Sequence, residues 1–436
     1  MNKDTILVWF RNDLRVRDNE ILWQALAKAD KVVPVYVFDP RQFIALSDKT
    51  QKTGVIRAKF IVESVHDLKH SLQQLGADLL VASGYPEEIL PTLAERYQVK
   101  EVYHHREVAK EETDVSSLVE EALWKKRLNL RHFIGHTLYH KEDLPFPIKD
   151  IPDAFATFRK KIERETAIRP MVATPTTIDV PEELERSTIP TLTALGYTDQ
   201  QIALAQASPF KGGEHEGLKQ LDAVLSDTSN HLIDEFPAND GTLLSPWIAL
   251  GCLSPHTVYH TVKAAEADGL SKKIVQTIVF GLLWRDYFRF MFKKHGNKFF
   301  LANGFSNNFV ATEKFSASKF DHWKNGKTTD ATVNAIMHQL NTIGFIPYPA
   351  RILAAHYLVN DLGINHLFGA AYFEDKLIDY SPASNYGNWA HVAGVGSSVK
   401  DNGVKDIKKI QALLDPDGAY VERWGNIKTA PTGLNI

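Results

Sequence analysis

The hydrophobic period switches repeatedly between strand-like and helix-like over residues 5–139, and this restricts the fold more than any other feature of the chain. "TILVWF" (5–10) gives way to "NEILWQALAKA" (19–29), with apolar residues at helical spacing, and then to "KVVPVYVFD" (31–39). "RAKFIVESVHDLKHSLQQLG" (57–76) is helical in pattern and closes on Gly76, a residue suited to a helix C-cap. "ADLLVAS", "PEEILPTLAERYQ", "VKEVYHHR", a helix near 111–127 and "LRHFIGHTLYH" continue the alternation. Strands separated by helices in this way predict a parallel sheet covered by helices on both faces.

The texture changes at "DLPFPIKDIP" (143–152). Through about residue 215 the chain is rich in Pro and Thr, with "RPMVATPTTIDVPEEL" at its centre, and reads as a surface connector holding short helices such as 153–165. After "FKGGE" (210–214) the clear segments are helical: "SPHTVYHTVKAAEA", "KKIVQTIVFGLLWRDYFRFMFKKHG", "ATVNAIMHQLNTIG", "ARILAAHYLVNDLG" and "LFGAAYFEDKLID". A chain of 436 residues also exceeds what one core usually supports. The expected organisation is an α/β domain over 1–142, a connector over 143–215 and an all-α domain over 216–436.

Composition removes several function classes. Hydrophobic content of 44% and charged content of 24% are those of a globular chain. Cys252 is the single cysteine, which excludes an internal disulfide and a cysteine cluster for a metal or iron–sulfur centre, so no metal site is expected. The apolar run in "MNKDTILVWF" is too short for a signal peptide, and nothing reaches membrane-spanning length. The expectation is a cytoplasmic, membrane-free monomer. With a net charge of −3, nucleic-acid binding would need a local basic patch.

The α/β part has no G-x-G-x-x-G turn, and "WFRND" is not a P-loop. "FIGHT" (133–137) is read as a strand on which a Gly-His pair falls by coincidence. In "GLLWRDYFRF" (281–290), Trp284, Tyr287, Phe288 and Phe290 surround a helix that carries Arg285 and Arg289 one turn apart, as in a buried helix whose arginines snorkel. "TIGFIPYPARILAAHYL" (342–358) puts Pro347 and Pro349 at a helix start and Arg351 in its first turn. The macrodipole disfavours a cation there, so Arg351 faces a carboxylate, a phosphate or open solvent. In "DGTLLSPWIALGCLSP" (240–255), Ser245 before Pro246 reads as an N-cap whose free N–H groups suit a phosphate or simply cap the helix. "LIDYSPASNYGNWAHVAGVG" (377–396) sets an acid, asparagines and a tryptophan among small residues. It is either a surface loop or backbone folded tightly around something flat.

Together these stretches resemble the cryptochrome/photolyase flavoproteins, and among them the DASH branch. The likeness runs in order through "VWFRNDLRVRDNE" (8–20), "VPVYVFDPRQF" (33–43), "TGVIRAKFIVESV" (53–65), "GHTLYHKEDLPFPI" (135–148), "LSPWIALGCLSP" (244–255), "LLWRDYFRF" (282–290), "LIDY…SNYGNW" (377–389) and "DPDGAYV" (415–421). It implies a Rossmann-like α/β photolyase domain packed on an all-α domain that holds a folded FAD. By the resemblance, Thr242, Leu243, Leu244 and Ser245 bind the FAD diphosphate, Asp379 and Arg351 flank the isoalloxazine ring, and Arg285 is a further contact. Asn385 would face the flavin N5, and Trp389 would donate an electron to the light-excited flavin. A folate-type antenna often accompanies FAD in the family, although its contacts are not legible in this chain.

Three departures bear on activity. Gly281 stands where photolyases carry a glutamate that assists splitting of pyrimidine dimers, and such an acid supplies orders of magnitude in rate. Tyr348 and Pro349 replace the family's Asn-Arg, removing a second lesion contact. The three-tryptophan relay keeps Trp389 but has His366 in the middle, and "FVATEKF" (309–315) lacks the outermost member. On the DNA side Trp284 matches one aromatic wall for a flipped base, while His391 replaces the other. Lys400, Lys405, Lys408 and Lys409 offer some phosphate attraction or form a solvated surface, and "HLIDEFPAND" before Thr242 is shorter than the family's loop, which by the resemblance would weaken the adenine-side FAD contacts. Three functions follow: a lyase reversing dimers in single-stranded DNA, a photosensory flavoprotein, or a flavin-free binding protein on the same scaffold.

Overall fold

The computed structural model describes residues 4–44, 51–226, 243–305, 315–396 and 406–425. Strands β1 (Thr5–Phe10), β2 (Lys31–Phe38), β3 (Leu80–Ser83), β4 (Glu101–His105) and β5 (Asn129–Phe133) form one parallel sheet in the order β3-β2-β1-β4-β5. Helices α1 (Glu20–Lys28), α2 (Val55–Gln74), α3 (Pro86–Arg96) and α4 (Lys110–Lys125) make the crossovers. β1 is central, with Thr5 opposite Lys31 of β2 and Ile6 opposite Glu101 of β4. It is buried along its whole length. Ile6, Val8 and Phe10 enter a core shared with α1, α2 and the helical region. Leu7 and Trp9 point to the opposite face, against residues of α3 and α4. A strand covered on both sides therefore reads as an unbroken apolar run.

The connecting stretch holds α5 (Phe155–Glu165) and α6 (Asp199–Ala205). The helical region follows with α7 (Glu214–Leu225), α8 (Ser245–Ala249), α9 (Pro255–Ala267), α10 (Lys272–His295), α11 (Ala317–Lys324) and α12 (Ala331–Ile343). It continues through α13 (Tyr348–His356), α14 (His366–Lys376), α15 (Pro382–Val392), α16 (Ile407–Leu414) and α17 (Ala419–Gly425).

Polar groups fasten the two regions together. After β1, Leu14 N–H donates to Leu250 O (3.2 Å) and the Arg15 guanidinium to Gly251 O (2.9 Å). A Cβ at Gly251 would overlap Asn12 O, so the close approach requires glycine there. Asp286 of α10 accepts from Leu138 N–H (3.1 Å) and Tyr139 N–H (2.9 Å), and Arg289 pairs with Glu107 beyond β4 (2.7 Å). Much of "WFRNDLR" and "GLLWRDYFRF" is thus interface.

Two sequence expectations change. β5 ends at Phe133, so Gly135 and His136 stand beyond the strand, where Gly135 lets the His105 ring approach. The stretch from Pro382 to Val392 is not a surface loop but helix α15. Proline at its start costs little, and a Cβ at Gly387 would overlap the Phe288 ring of α10. The small residue serves helix–helix contact.

Candidate functional site

α8, α13 and the segment entering α15 bring three polar side chains together. Arg351, in the first turn of α13, donates from Nη2 to Asp379 Oδ2 (2.7 Å) and from Nε to Ile346 O (2.9 Å). The Ser245 hydroxyl donates to the same carboxylate oxygen at 2.6 Å. Ser245 is not the N-cap: Leu244 occupies that position, with Ser245 inside the helix and its hydroxyl drawn to the stronger acceptor. The other Asp379 oxygen, Oδ1, is buried with no hydrogen-bond partner. Such an atom is unusual in a folded interior and suits an N–H or O–H group of a bound ligand. Leu243 has φ +53°, a left-handed conformation that costs a non-glycine residue energy and is found where a site dictates the backbone. An unpartnered carboxylate oxygen, a guanidinium beside it and a constrained backbone fit the residues expected to hold FAD. Thr242 lies outside the described residues, as do Lys400, Lys405, the "HLIDEFPAND" loop and 309–314.

The remaining expected residues lie on neighbouring helices. Asn385 on α15 is buried and donates from its amide to Ala370 O (2.9 Å), which fixes the side chain against α14. Arg285 donates to His136 O and to Ile248 O, joining the segment beyond β5 to α8. Burial, reinforced by neighbouring Arg289, lowers its pKa to about 10. Gly281 is exposed, and a Cβ there would meet nothing within 4 Å. One turn on, Trp284 donates to Asn388 Oδ1 (3.0 Å) and packs edge-on against His391, with ring centroids 5.4 Å apart. The Tyr348 phenol also reaches Trp284 and remains 43% exposed. Tyr348 and His391 thus gather at Trp284, one turn from the open space over Gly281.

Trp389 is buried against Gly369, whose missing side chain makes room for the indole. Its ring lies 5.0 Å from Phe373 and 6.2 Å from Trp323. Trp323, on α11, escaped the sequence reading. It is fully buried, donates to Ala354 O (3.1 Å) and lies 5.7 Å from Tyr372. His366 opens α14 as a buried histidine whose pKa burial lowers to about 4. A neutral imidazole is far harder to oxidise than an indole.

A cavity of about 830 Å³ opens at the carboxyl ends of β1 and β2, bordered by Arg11, Asn12, Asp39, Arg41, Glu112 and Tyr386. Parallel sheets bind ligands at this edge. Burial and the neighbouring Glu107 push Glu112 up to about 8, whereas Glu107, although burial opposes its ionisation, is held well below the usual carboxylate range by His136 and Arg289. Sequence reading missed this cluster because its members come from the segments beyond β1, β2 and β4 and from α4, α10 and α15.

A family model for DNA photolyase matches residues 6–179, and one for the FAD binding domain of DNA photolyase matches 278–428. The cryptochrome DASH of Gloeobacter violaceus is 39% identical, across 97% of this chain and 86% of its own length. The chain belongs to the photolyase/cryptochrome family, in its DASH branch. The crystal structure of a Synechocystis cryptochrome superposes with a TM-score of 0.88 at 37% identity, covering 97% of this chain and 88% of the other. A Sulfolobus tokodaii photolyase solved with two FAD molecules gives a TM-score of 0.78 at 25% identity, covering 96% and 90%. The parallel sheet followed by a helical region is the architecture read from the sequence. Arg285, Arg351, Asp379, Asn385 and Trp389 fall within the FAD-binding domain match.

Proposed function

We propose that this protein holds FAD and absorbs blue light as a DASH cryptochrome, with repair of cyclobutane pyrimidine dimers in single-stranded DNA weakened or lost. When bound, FAD supplies light absorption and electron exchange. Ser245, Arg351 and Asp379 hold and orient it, with Leu243, Leu244 and Arg285 beside them, while Asn385 positions a polar group toward the ring. Trp389 is the nearest donor of electrons, and the cavity at the sheet edge takes a folate-type antenna. The unpartnered Asp379 oxygen beside Arg351 carries the flavin reading.

The weakened repair rests on Gly281, which offers space where the chemistry needs an acid, and on Tyr348, whose phenol reaches Trp284 one turn away. Illuminating the reduced protein with a dimer-containing oligonucleotide tests it. Splitting is expected to be about 100-fold or more below an enzyme retaining the acid. Gly281→Glu combined with Tyr348→Asn should raise the rate, since position 281 has room for a longer side chain. Full-rate splitting by the unaltered chain would mark it as an active photolyase.

A further inference from the structure

Beside the Gly281 opening, α5 and α10 form a surface that the flavin site does not explain. Phe280 is 41% exposed although it adjoins a buried aromatic cluster. Its ring is parallel to that of Trp284 within 9°, at 6.4 Å between centroids. Phe155 of α5 packs edge-on to both, at 5.3 Å from Phe280 and 4.6 Å from Trp284. The Arg159 guanidinium lies over the Phe280 ring at 5.4 Å. An open groove of about 590 Å³ runs along this edge, with Lys160 and Arg164 on its walls. These two residues are one helical turn apart, so they share one face of α5.

We propose that this groove is a track for single-stranded nucleic acid, in which Phe280 stacks the base next to the one entering the Gly281 opening. Lys160 and Arg164 meet its phosphates, as does Arg159 once the incoming base takes its place over the Phe280 ring. The proposal deepens the DNA reading above and rests on it. Successive bases of one strand present parallel faces, as the rings of Phe280 and Trp284 do, and an acidic peptide has no such face to offer. A duplex keeps its bases stacked on one another, so only an unpaired strand reaches the platform. Glu163, on the groove wall, pairs with Arg159 at 3.0 Å and Glu165 pairs with Arg164, so a phosphate would compete with a carboxylate for each guanidinium.

The test measures fluorescence anisotropy of a labelled, undamaged oligothymidylate with the flavin-loaded protein over a range of salt. Phe280→Leu keeps apolar bulk at an exposed position but removes the ring face. It is expected to weaken binding about tenfold. Lys160→Glu with Arg164→Glu should flatten the log–log salt dependence by about 1.4, as expected for two lost phosphate contacts on a single strand. Lys125→Glu, on α4, should change neither. Binding of both groove variants equal to that of the parent overturns the track while leaving DNA binding in place. Failure of the parent to bind any oligonucleotide at low salt overturns the DNA reading and the track together.

Discussion

Asp379 receives Arg351 and Ser245 through one oxygen and keeps the other buried and unpartnered, so a neutral amide at this position would disturb the site in two ways. Asp379→Asn leaves the guanidinium without its charge partner and can present an N–H where a ligand donor is expected. Because hydrogen bonds to charged groups contribute roughly 1.5–3 kcal/mol, flavin affinity should fall by at least about tenfold. Titrating apo-protein with FAD by fluorescence quenching measures this, and affinity within twofold of the parent would contradict it. Sequence reasoning left Arg351 facing a carboxylate, a phosphate or open solvent, because the first turn of a helix is a poor place for a lone cation, and the family resemblance is what pointed to Asp379. It misassigned Ser245, because whether that hydroxyl caps its own helix or crosses to Asp379 depends on a residue 134 positions away. His366 was legible by spacing, whereas Trp323 became a neighbour of Trp389 only through the packing of α11 against α14 and α15.

Among the elements, β1 and α10 were readable because each carries its own reason for existing: an apolar run covered on both faces, and a long aromatic helix. Helix α15 was not. Its Gly, Asn, Ser and Pro argue locally for a loop, and the reason for Gly387 sits on α10, where the Phe288 ring occupies the space a side chain would need. Gly387→Ala should therefore destabilise the protein by about 1–3 kcal/mol, although alanine is the better helix former. Urea unfolding followed by circular dichroism measures it, and unchanged or increased stability would show that α10 and α15 have slack between them. Gly281 lies on the same helix α10 but faces open space, so Gly281→Glu should leave the unfolding midpoint unchanged or raise it slightly.

For the molecule as a whole, the carboxylates where sheet and helices meet make stability depend on pH from two directions. Glu112 has its folded pKa raised to about 8 and Asp286 to about 6, in both cases mainly by burial. The folded state then holds protons that the unfolded chain has released, so stability falls as pH rises from the usual carboxylate range through these values. Glu107 is shifted the other way, and its contribution is present above its unfolded pKa and is lost as pH falls toward its depressed folded value. Glu112→Gln should melt higher than the parent at pH 8.5 and close to it at pH 5. An equal difference at both values would show that Glu112 does not titrate in this range. Through Asp286 and the Arg289–Glu107 pair the α/β region and the helices bear on one another. The visible spectrum of the purified protein tests the flavin reading most directly. A yellow protein with one releasable FAD per chain is the predicted result, and a colourless preparation that takes up no added FAD would contradict it.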